Sequence, residues 1–517
     1  MLKKSFLALL LALIATVGMF AQEDDWGDSS DWGDDSTASS SGESAGGGFW
    51  DRFSVTGSAE LGGRVYFDAS ASEAGKTTVT AIPEAEVGLN YEGDSTNFNV
   101  QINLSERTLL HNKMDILDEF HADLFLGDFV LSAGKMKVVW GKGDKLHVLD
   151  NFNANDYTDF LIPDYLDRRA GEYMFRVQYN APRIFRLEGI WTPVMRSEVY
   201  AENGKWVPAQ VGKLTEAVTK MGGAEVGEAL SEKDKAFAAL SALSNANPAD
   251  PAKIQTAKDA YEVAATNYLT LLNRANSLSA DSLYPNTNQL KYGQFGFYGN
   301  FSFGVVDLGV SYYNGHYKQV STDYTKLTSL STVTDALHYD KLQVFGLDIQ
   351  GAAGPFTLRG EFGYNLTNDN GGDDPWVHNN SISYLAGFDV GIPLHNLNLN
   401  VQATGNFVLH KDEIEGSVFE PYDVDYDPTG KYSNNKLVVQ LKDTFYYEKI
   451  EILVKAIYGF EREDLVLLPE VSYKIRDGWK AKLSGMYIHN FRDDETDSEF
   501  YGWQDNSFIQ LSVSYAF

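Results

Sequence analysis

The chain of 517 residues contains no cysteine. Disulfide bonds and thiolate-bound metals are therefore excluded, and so is a lipid anchor attached through cysteine. The nine histidines occur singly, without a second histidine at metal-binding spacing. Neither a Ser-His-Asp order nor a glycine-rich phosphate loop between a strand and a helix is present, so we expect neither a cofactor nor a catalytic site.

Long apolar runs are also missing after the first twenty residues. A membrane helix needs about 18 consecutive apolar residues or more, and no later window of the chain approaches that length. Insertion of this part of the chain into a bilayer would therefore require a closed barrel, in which every backbone group is paired. Basic residues are few as well, since 42 lysines and arginines face 72 acidic residues and leave a formal charge of -30. This charge makes nucleic acid an unsuitable partner.

The N-terminus has the residue order of a secretory signal peptide. Lys3 and Lys4 precede an apolar segment from Phe6 to Phe20, and Ala21 supplies a small residue for cleavage. We predict a signal peptide at 1–21, with a membrane anchor as the alternative. Residues 22–52 are predicted to be an acidic, Ser/Gly-rich disordered leader. Its repeated Asp-Trp-Gly-Asp is either part of a solvated tether or a docking motif for a periplasmic partner.

From Phe53 onward, apolar and polar residues alternate. In one segment Phe98 and Val100 alternate with Asn99 and Gln101. Such a pattern is typical of membrane strands with one face in lipid and the other in water. Eighteen strands are predicted, with sixteen as the alternative. They lie at about 53–67, 78–91, 98–105, 117–126, 128–139, 171–180, 184–194, 290–302, 305–316, 341–350, 355–366, 379–392, 397–410, 437–447, 450–459, 464–474, 479–490 and 507–517.

The predicted connections alternate between tight turns and long loops. The tight turns are at 92–94, 127–128, 180–183, 304, 353–354, 393–396, 448–449 and 476–478, and the long connections are at 68–77, 106–116, 140–170, 195–289, 317–340, 367–378, 411–436 and 491–506. The short link at 461–463 is an exception. Outer-membrane barrels have short periplasmic turns and long external loops, whereas a soluble sandwich has no reason to keep this alternation in phase.

Residues 205–283 depart from the strand pattern. Asp250 precedes Pro251 as a helix N-cap would, and apolar residues then recur every three to four positions from Ile254 to Ala275. An earlier apolar stripe follows Ser231, which reads as a second N-cap. We predict a helical hairpin inserted in an external loop. Three alternatives are left open for this hairpin: it packs on itself above the barrel, it lines the mouth of the barrel, or it binds a partner.

The chain ends on a two-faced strand. Apolar residues from Ile509 to Phe517 share one face, and Gln510, Ser512 and Ser514 share the other, because successive strand side chains point in opposite directions. This ending resembles the C-terminal signal of bacterial outer-membrane β-barrels. The resemblance implies that the outer-membrane assembly machinery recognises this strand. The residues that carry it are Leu511, Val513, Tyr515 and Phe517.

The predicted connection at 140–170 is unusually rich in Asp, Asn and aromatic residues. Its order loosely resembles a segment of a family of porin-like outer-membrane proteins of unassigned function, in which Trp-Gly-x-x-Asp ends a strand and an Asp/Asn-rich loop leads to an arginine. The resemblance implies a barrel of that type. Loops of this length are uncommon unless they are functional or folded inward. We predict a constriction loop that contacts Lys135, Lys137 and Arg176, with ordinary loop packing as the alternative. The candidate residues are Trp140, Asp144, Asp150, Asn153, Asp156, Arg168 and Arg169.

Charged residues of both signs fall on the predicted inner faces of the strands. A lysine or arginine that faces lipid at mid-depth costs about 2–4 kcal/mol, so these residues are expected to face the lumen. There they line a selective channel or pair with one another in a non-conducting interior. They are Lys135, Lys137, Arg176, Arg186, Glu188, Arg359, Glu361, Lys442, Glu451, Lys455, Glu470, Lys480 and Lys482.

Two acidic loops, 368–374 and 423–427, suggest calcium ligands. In the second loop Pro428 occupies the position that requires glycine in the twelve-residue calcium loop, and a glutamate at the right distance is missing. We therefore predict solvated loops and no metal site.

Together these patterns predict an all-β protein, a transmembrane antiparallel barrel over residues 53–517 in the outer membrane of a Gram-negative-type envelope, reached by secretion to the periplasm. Its predicted function is that of a porin-like channel for passive diffusion of small hydrophilic solutes. A surface-exposed adhesin or binding protein that displays long loops is the alternative. An outer-membrane lipase or protease is a third hypothesis, for which the sequence offers no converging catalytic set. The bilayer and the assembly machinery are the predicted partners, and the oligomeric state is left open.

Overall fold

The computed structural model describes residues 52–517, apart from short gaps at 68–78, 112, 160–167, 182–183, 202–203, 249, 279–282, 493–497, 499 and 501–502. The signal peptide predicted at 1–21 and all but the last residue of the leader predicted at 22–52 lie outside the described residues. The helices of the described part of the chain were examined for length and apolarity, and none is suited to crossing a membrane.

Eighteen antiparallel strands form one sheet that closes on itself. The strands are β1 (Phe53–Tyr66), β2 (Val79–Glu92), β3 (Thr96–Ser105), β4 (Leu117–Leu126), β5 (Phe129–Met136), β6 (Glu172–Ala181), β7 (Phe185–Thr192), β8 (Gln294–Phe303), β9 (Val306–His316), β10 (Lys341–Ala353), β11 (Phe356–Leu366), β12 (Ser381–Gly391), β13 (Asn398–Val408), β14 (Ser433–Phe445), β15 (Ile450–Gly459), β16 (Asp464–Arg476), β17 (Trp479–Asn490) and β18 (Phe508–Ala516). Each strand pairs with the next along the chain, and β18 pairs with β1. The predicted barrel of eighteen strands is confirmed.

Alternation along each strand separates an outer apolar face from an inner polar face. On β18, Leu511 is 59% exposed, whereas its neighbour Ser512 is 1% exposed. Phe407 on β13 is exposed on the outer face, and Gln402 on the same strand is buried on the inner face. A barrel in lipid requires this division, since apolar side chains are stable in the hydrocarbon region and polar ones are not.

Short turns gather at one end of the barrel, called here the turn end, and the long connections gather at the other, called the loop end. Strand β5 ends at Met136, three residues earlier than predicted, so the long connection that follows it runs from 137 to 171. Strand β8 begins at Gln294, because Leu290–Tyr292 form a 3-10 turn in place of a strand. Two pairs of two-residue strands also lie at the loop end. Residues 321–322 pair antiparallel with 337–338, and residues 156–157 pair parallel with 199–200.

Two helices leave the loop end between β7 and β8. Helix α1 (Ala209–Ser244) and helix α2 (Pro251–Ser277) contain 36 and 27 residues, which correspond to about 54 and 40 Å at 1.5 Å per residue. Asp250 caps α2 as predicted, accepting hydrogen bonds from the backbone N of Ala252 and Lys253 at 3.1 and 3.3 Å. The second cap predicted at Ser231 is wrong, because α1 is already continuous there.

The hairpin packs on itself and on its base. Phe237 of α1 contacts Tyr261 of α2 with ring centroids 5.5 Å apart. At the base, Val218 of α1 is buried together with Val333 and Leu337 of the connection between β9 and β10. Buried apolar contacts of this kind are what stabilise helices in proteins, and they hold the start of α1 at the loop end of the barrel.

Candidate functional site

The connection 137–171, called here the inner loop, folds into the barrel. Trp140 Nε1 donates to Glu188 Oε1 of β7 at 2.7 Å, and the backbone N of Gly143 donates to Glu361 Oε1 of β11 at 2.6 Å. The backbone N of Asp144 donates to Gln402 Oε1 of β13 at 3.0 Å. The loop starts at β5 and reaches β13, eight strands away in a barrel of eighteen. It therefore crosses the lumen to nearly the opposite wall.

Glu361 anchors the middle of the inner loop. Its carboxylate accepts hydrogen bonds from the backbone N of Gly143 at 2.6 Å and of Val148 at 2.8 Å, and it lies 2.9 Å from His147 Nδ1. The Glu361 side chain is fully buried, at 0% exposure. Hydrogen bonds to an ionised group contribute about 1.5–3 kcal/mol each, so this set holds the loop firmly. Gly141 approaches the same carboxylate so closely that a Cβ there would overlap it.

Asp144 fixes the far end of the loop on β13. Its carboxylate accepts from Asn400 Nδ2 at 2.8 Å, and its backbone O accepts from Gln402 Nε2 at 2.7 Å. With the bond from its own backbone N, three hydrogen bonds join one loop residue to one strand. The part of the inner loop at Asp144 therefore has a defined position against the inner wall.

Apolar side chains fill the space beneath the loop. The Trp140 ring lies 5.6 Å from that of Tyr298 on β8 and 5.0 Å from that of Phe152, and Phe152 lies 5.2 Å from Tyr313 on β9. Leu149 is buried in the same cluster. Burial of a large apolar side chain contributes about 1.5–3 kcal/mol. The side of the lumen along β7–β13, called here the packed side, is therefore filled by side chains and by the inner loop.

The returning part of the loop is tied to its own base. Asn153 Nδ2 donates to the backbone O of Met136 and of Ala170, both at 3.0 Å, and Asn153 Oδ1 accepts from the backbone N of Val138 at 2.9 Å. Arg169 forms a buried salt bridge with Asp150. These predicted constriction residues stabilise the loop from within and are largely withdrawn from solvent.

The remaining loop candidates lie toward the loop end. Asp156 is buried and accepts from the backbone N of Thr158 at 2.9 Å. The Arg168 guanidinium lies 5.5 Å from the centre of the Tyr157 ring. The loop then reaches β1, where Arg64 Nη1 binds Asp159 Oδ1 at 3.1 Å.

Charged residues on the packed side of the lumen form paired networks. Glu188 Oε2 accepts from Arg176 Nη2 at 2.8 Å, from Arg186 Nη2 at 3.1 Å and from Gln178 Nε2 at 2.6 Å. Arg359 of β11 pairs with Asp389 of β12 at 2.6 Å. Glu188 and Glu361 thus hold other groups in place, and their side chains are closed to solvent.

Charged residues on the other side of the lumen remain accessible. Lys442 and Glu451 lie 3.0 Å apart with side-chain exposures of 31% and 28%. Lys482 and Glu60 lie 3.6 Å apart with exposures of 23% and 24%. The strand register sets the other predicted residues of β15–β17 on the same inner face, Lys455 opposite Gln440, Glu470 opposite Ser484 and Lys480 opposite Ser514.

The inner faces of β14–β17 and β1–β4 together are called here the accessible wall. Positive and negative charges predominate on different strands of this wall, and sequence reasoning did not predict that separation. Lysines predominate on the inner face of β14–β17, where Lys436, Lys442, Lys455, Lys474, Lys480 and Lys482 accompany Glu451 and Glu470. Acids predominate on β1–β4, where Glu60 lies opposite Glu84 and Glu119 lies opposite Gln101. Glu86 and Asp123 belong to the same acidic arc. The signal was present in the sequence, because these acids occupy alternate positions of their strands.

Lys135 and Lys137 are placed differently from the other predicted lumen residues. The register sets Lys135 opposite Phe120 and Tyr173, which are exposed on the outer face. Its ammonium is covered at the loop end, where it donates to the backbone O of Leu117 at 2.5 Å and to Asp115 Oδ1 at 3.1 Å. The Lys135 side chain is therefore buried, at 3% exposure, and is not one of the accessible lysines. Lys137 pairs with Asp118 at 2.7 Å.

The described residues contain no group of three or more histidine, aspartate or glutamate side chains that could hold a metal ion. The carboxylates of the loop 423–427 bind neighbouring protein groups. Asp427, for example, accepts hydrogen bonds from the backbone N of Thr429 at 3.0 Å and of Tyr432 at 2.8 Å.

Comparison with known proteins yields no matching family model and no matching curated protein. Solved structures similar to the chain include a variant of the Rhodopseudomonas blastica porin, with 9% identity over 90% of this chain and 100% of that chain and a TM-score of 0.36. A second variant of the same porin has 10% identity, the same coverage and a TM-score of 0.33. The crystal structure of Acinetobacter baumannii OccAB4 has 10% identity, covers 90% of this chain and 97% of that chain, and has a TM-score of 0.42. The chain itself forms a closed antiparallel barrel of eighteen strands, as its strand pairing shows.

Proposed function

We propose that the protein is an outer-membrane channel through which small hydrophilic solutes diffuse passively. The observation that carries the proposal is the division of the lumen. Glu361 on the packed side is 0% exposed, whereas Lys442 on the other side is 31% exposed. An eighteen-stranded barrel leaves an aqueous interior unless something fills it, and the inner loop fills one side.

The inner loop is the constriction in this proposal. It is anchored on β11 through Glu361 and on β13 through Asp144, and its apolar side packs on the wall. A loop held at several points narrows the passage permanently, because its release would break several hydrogen bonds together. Small solutes then pass along the accessible wall, and larger ones are excluded by size.

The charges of the accessible wall set the ion preference. Lysines of β14–β17 attract anions, and the acids of β1–β4 attract cations. Since both signs line the same passage, we expect a weak preference between small anions and cations. The residues that we propose to tune it are Lys442, Lys455, Lys480, Lys482, Glu451 and Glu470.

We also propose the predicted route to the membrane, with export through the signal peptide at 1–21 and recognition of the last strand by the assembly machinery. In support, the last residue takes part in closing the barrel. The backbone N of Gly57 donates to the O of Phe517 at 2.9 Å, and the N of Phe517 donates to the O of Gly57 at 2.9 Å.

Reconstitution tests the channel proposal. The purified barrel in planar bilayers should give stepwise conductance, and liposomes that contain it should swell in solutions of small sugars but not of large ones. A barrel that is folded, as judged by its heat-dependent mobility in detergent gels, yet silent in both assays would contradict the proposal. Loss of surface binding on deletion of 209–277 from such a silent barrel would favour the adhesin alternative.

A further inference from the structure

Three long connections meet at the loop end of the barrel, and ionisable groups join them. They are 317–340 between β9 and β10, 367–380 between β11 and β12, and 409–432 between β13 and β14. His378 Nδ1 lies 2.8 Å from Asp425 Oδ1, and the backbone N of Asn379 donates to Asp425 Oδ2 at 2.7 Å. The backbone N of His378 donates to Asp340 Oδ2 at 2.9 Å. A single histidine therefore connects the second segment to both of the others.

Asp340 extends this contact into the first connection. Its Oδ2 accepts from Ser321 Oγ at 2.7 Å, and its Oδ1 lies 3.1 Å from His338 Nε2. Asp340 is buried, and His378 and Asp425 are largely covered. Ion pairs are stronger in such surroundings than at an open surface, because less water screens them.

An aromatic stack runs beside the ionic contacts. Tyr324 of the first connection lies 6.3 Å from Trp376 of the second and 5.4 Å from Tyr422 of the third, measured between ring centroids. Trp376 lies 5.2 Å from Phe419. These aromatic contacts do not involve the histidine, so they keep the three connections near one another when the histidine changes its charge.

The charged and titratable groups that face His378 are mainly acidic. They are Asp425 and Asp423 from the third connection, Asp340 from the first, and the ring of Tyr317, which lies 4.4 Å from the histidine ring. Burial lowers the pKa of His378, but the carboxylates of Asp425 and Asp340 outweigh it, and the pKa is raised above its ordinary value. Burial raises the pKa of Asp423 to about 6, and the charge of Asp425 acts in the same direction.

The raised pKa values of His378 and Asp423 both stabilise the joined arrangement of the three connections at low pH. A histidine whose pKa is raised by folding adds stability below its ordinary pKa of about 6.5, and this contribution is lost as the pH rises through the raised value. The ionised form of Asp423 destabilises the folded contacts, because its pKa is raised to about 6. This penalty is complete above about pH 6 and diminishes as the pH falls toward the ordinary aspartate pKa of about 3.9. His338 beside Asp340 also has a raised pKa and acts in the same direction as His378.

We propose that His378, Asp340 and Asp425 form a pH-sensitive clasp that holds these three connections together in mildly acidic surroundings and loosens in alkaline ones. The clasp lies at the loop end above β9–β14, and the inner loop contacts three of these strands, β9, β11 and β13. It is independent of the channel proposal, since it concerns the order of the connections and not the passage of solutes.

Hydrogen exchange of the full chain in detergent tests the clasp. The amides of His378 and Asn379 both donate to clasp carboxylates, so peptides that contain them report its closure directly. After correction for the intrinsic pH dependence of exchange, their protection should be greater at pH 5.5 than at pH 8.5. The expected ratio is about tenfold for each unit by which folding raises the pKa of His378. Protection should change little with pH in strand β18, which contains no histidine and no acidic residue.

Two variants identify the titrating group. His378→Gln retains a side-chain donor but does not titrate, so it should remove most of the pH dependence. His395→Gln is the matched control, because His395 lies 2.8 Å from Asp443 at the turn end, and it should leave the clasp peptides unchanged. If His378→Gln fails to fold, Asp425→Asn should shift the loosening to lower pH, since it removes the carboxylate that contributes most to raising the pKa of the histidine. Equal protection at both pH values in the unmodified chain, or an unchanged pH dependence in His378→Gln, would overturn the proposal.

Discussion

Replacement of Glu361 by glutamine should release the middle of the inner loop. In the structure its two carboxylate oxygens serve the backbone N of Gly143, the backbone N of Val148 and the ring of His147. Glutamine supplies one acceptor oxygen only. Its amide nitrogen is a donor, and it must face at least one backbone N–H that also donates. That buried N–H is left without a partner.

The magnitude follows from the number of bonds. Loss of one hydrogen bond to an ionised group costs about 1.5–3 kcal/mol, and exchange of the others for neutral bonds costs about 1 kcal/mol more. A total of about 3 kcal/mol corresponds to a roughly 100-fold larger population in which this part of the loop has left the wall. The barrel strands themselves keep their pairing, since Glu361 joins its neighbours through backbone bonds that the variant retains.

Single-channel recording in planar bilayers measures this release. Glu361→Gln should show added conductance levels or larger current fluctuations than the unmodified channel at the same voltage. Glu448→Gln is the matched control, because Glu448 is exposed in the turn between β14 and β15, and its traces should be unchanged. Traces of Glu361→Gln that coincide with those of the control would refute the assignment of Glu361 as the anchor of the loop.

Three further variants test the seam between β1 and β18, the base of the inner loop and the accessible wall. Gly57→Val should lower the temperature at which the barrel unfolds in detergent gels, because a Cβ there overlaps the Phe517 ring, and overpacking costs about 1–3 kcal/mol. Asn153→Ala removes four hydrogen bonds at the base of the inner loop; it should increase protease cleavage within 137–171. The double change of Lys480 and Lys482 to glutamine should move the reversal potential in a salt gradient toward cation preference, because two accessible positive charges are lost from the lumen.

Each of these three variants has a control. Gly63→Ala lies on the same strand and face as Gly57, but its Cβ would meet nothing within 4 Å, so the unfolding temperature should be unchanged. Asn288→Ala changes an exposed asparagine outside the inner loop, and Lys449→Gln changes an exposed lysine of a turn. Variants that behave like their controls would contradict, respectively, the packing of the seam, the role of the loop base and the influence of the accessible wall.

The architecture could be predicted because its signal is local. Apolar and polar residues alternate along the strands, as Leu511 and Ser512 do on β18. This alternation can be recognised from neighbouring residues alone, without knowledge of contacts to distant ones. The alternation of long and short connections in turn identified which strands are neighbours. The strand number and the antiparallel order were therefore predictable, and errors were confined to strand ends and to the cap assigned to Ser231.

The candidate site depended on contacts between distant parts of the chain. The pattern assigned Glu361 and Lys442 to the same inner wall, but only the folded chain shows that the first is covered by the inner loop and the second is not. Lys135 was assigned to the wall by alternation, yet its side chain is buried and its ammonium binds Asp115 and the backbone O of Leu117.

The amino-acid sequence by itself determined that the chain closes into a barrel with a polar interior, since a period of two residues decides which side chains meet lipid. The tertiary structure alone decided which half of that interior is filled. Asp144 meets Asn400 and Gln402 across more than 250 residues of sequence, and no local pattern specifies such a pairing. Where the loop lies determines which wall charges a solute can reach, and that position is a property of the folded chain.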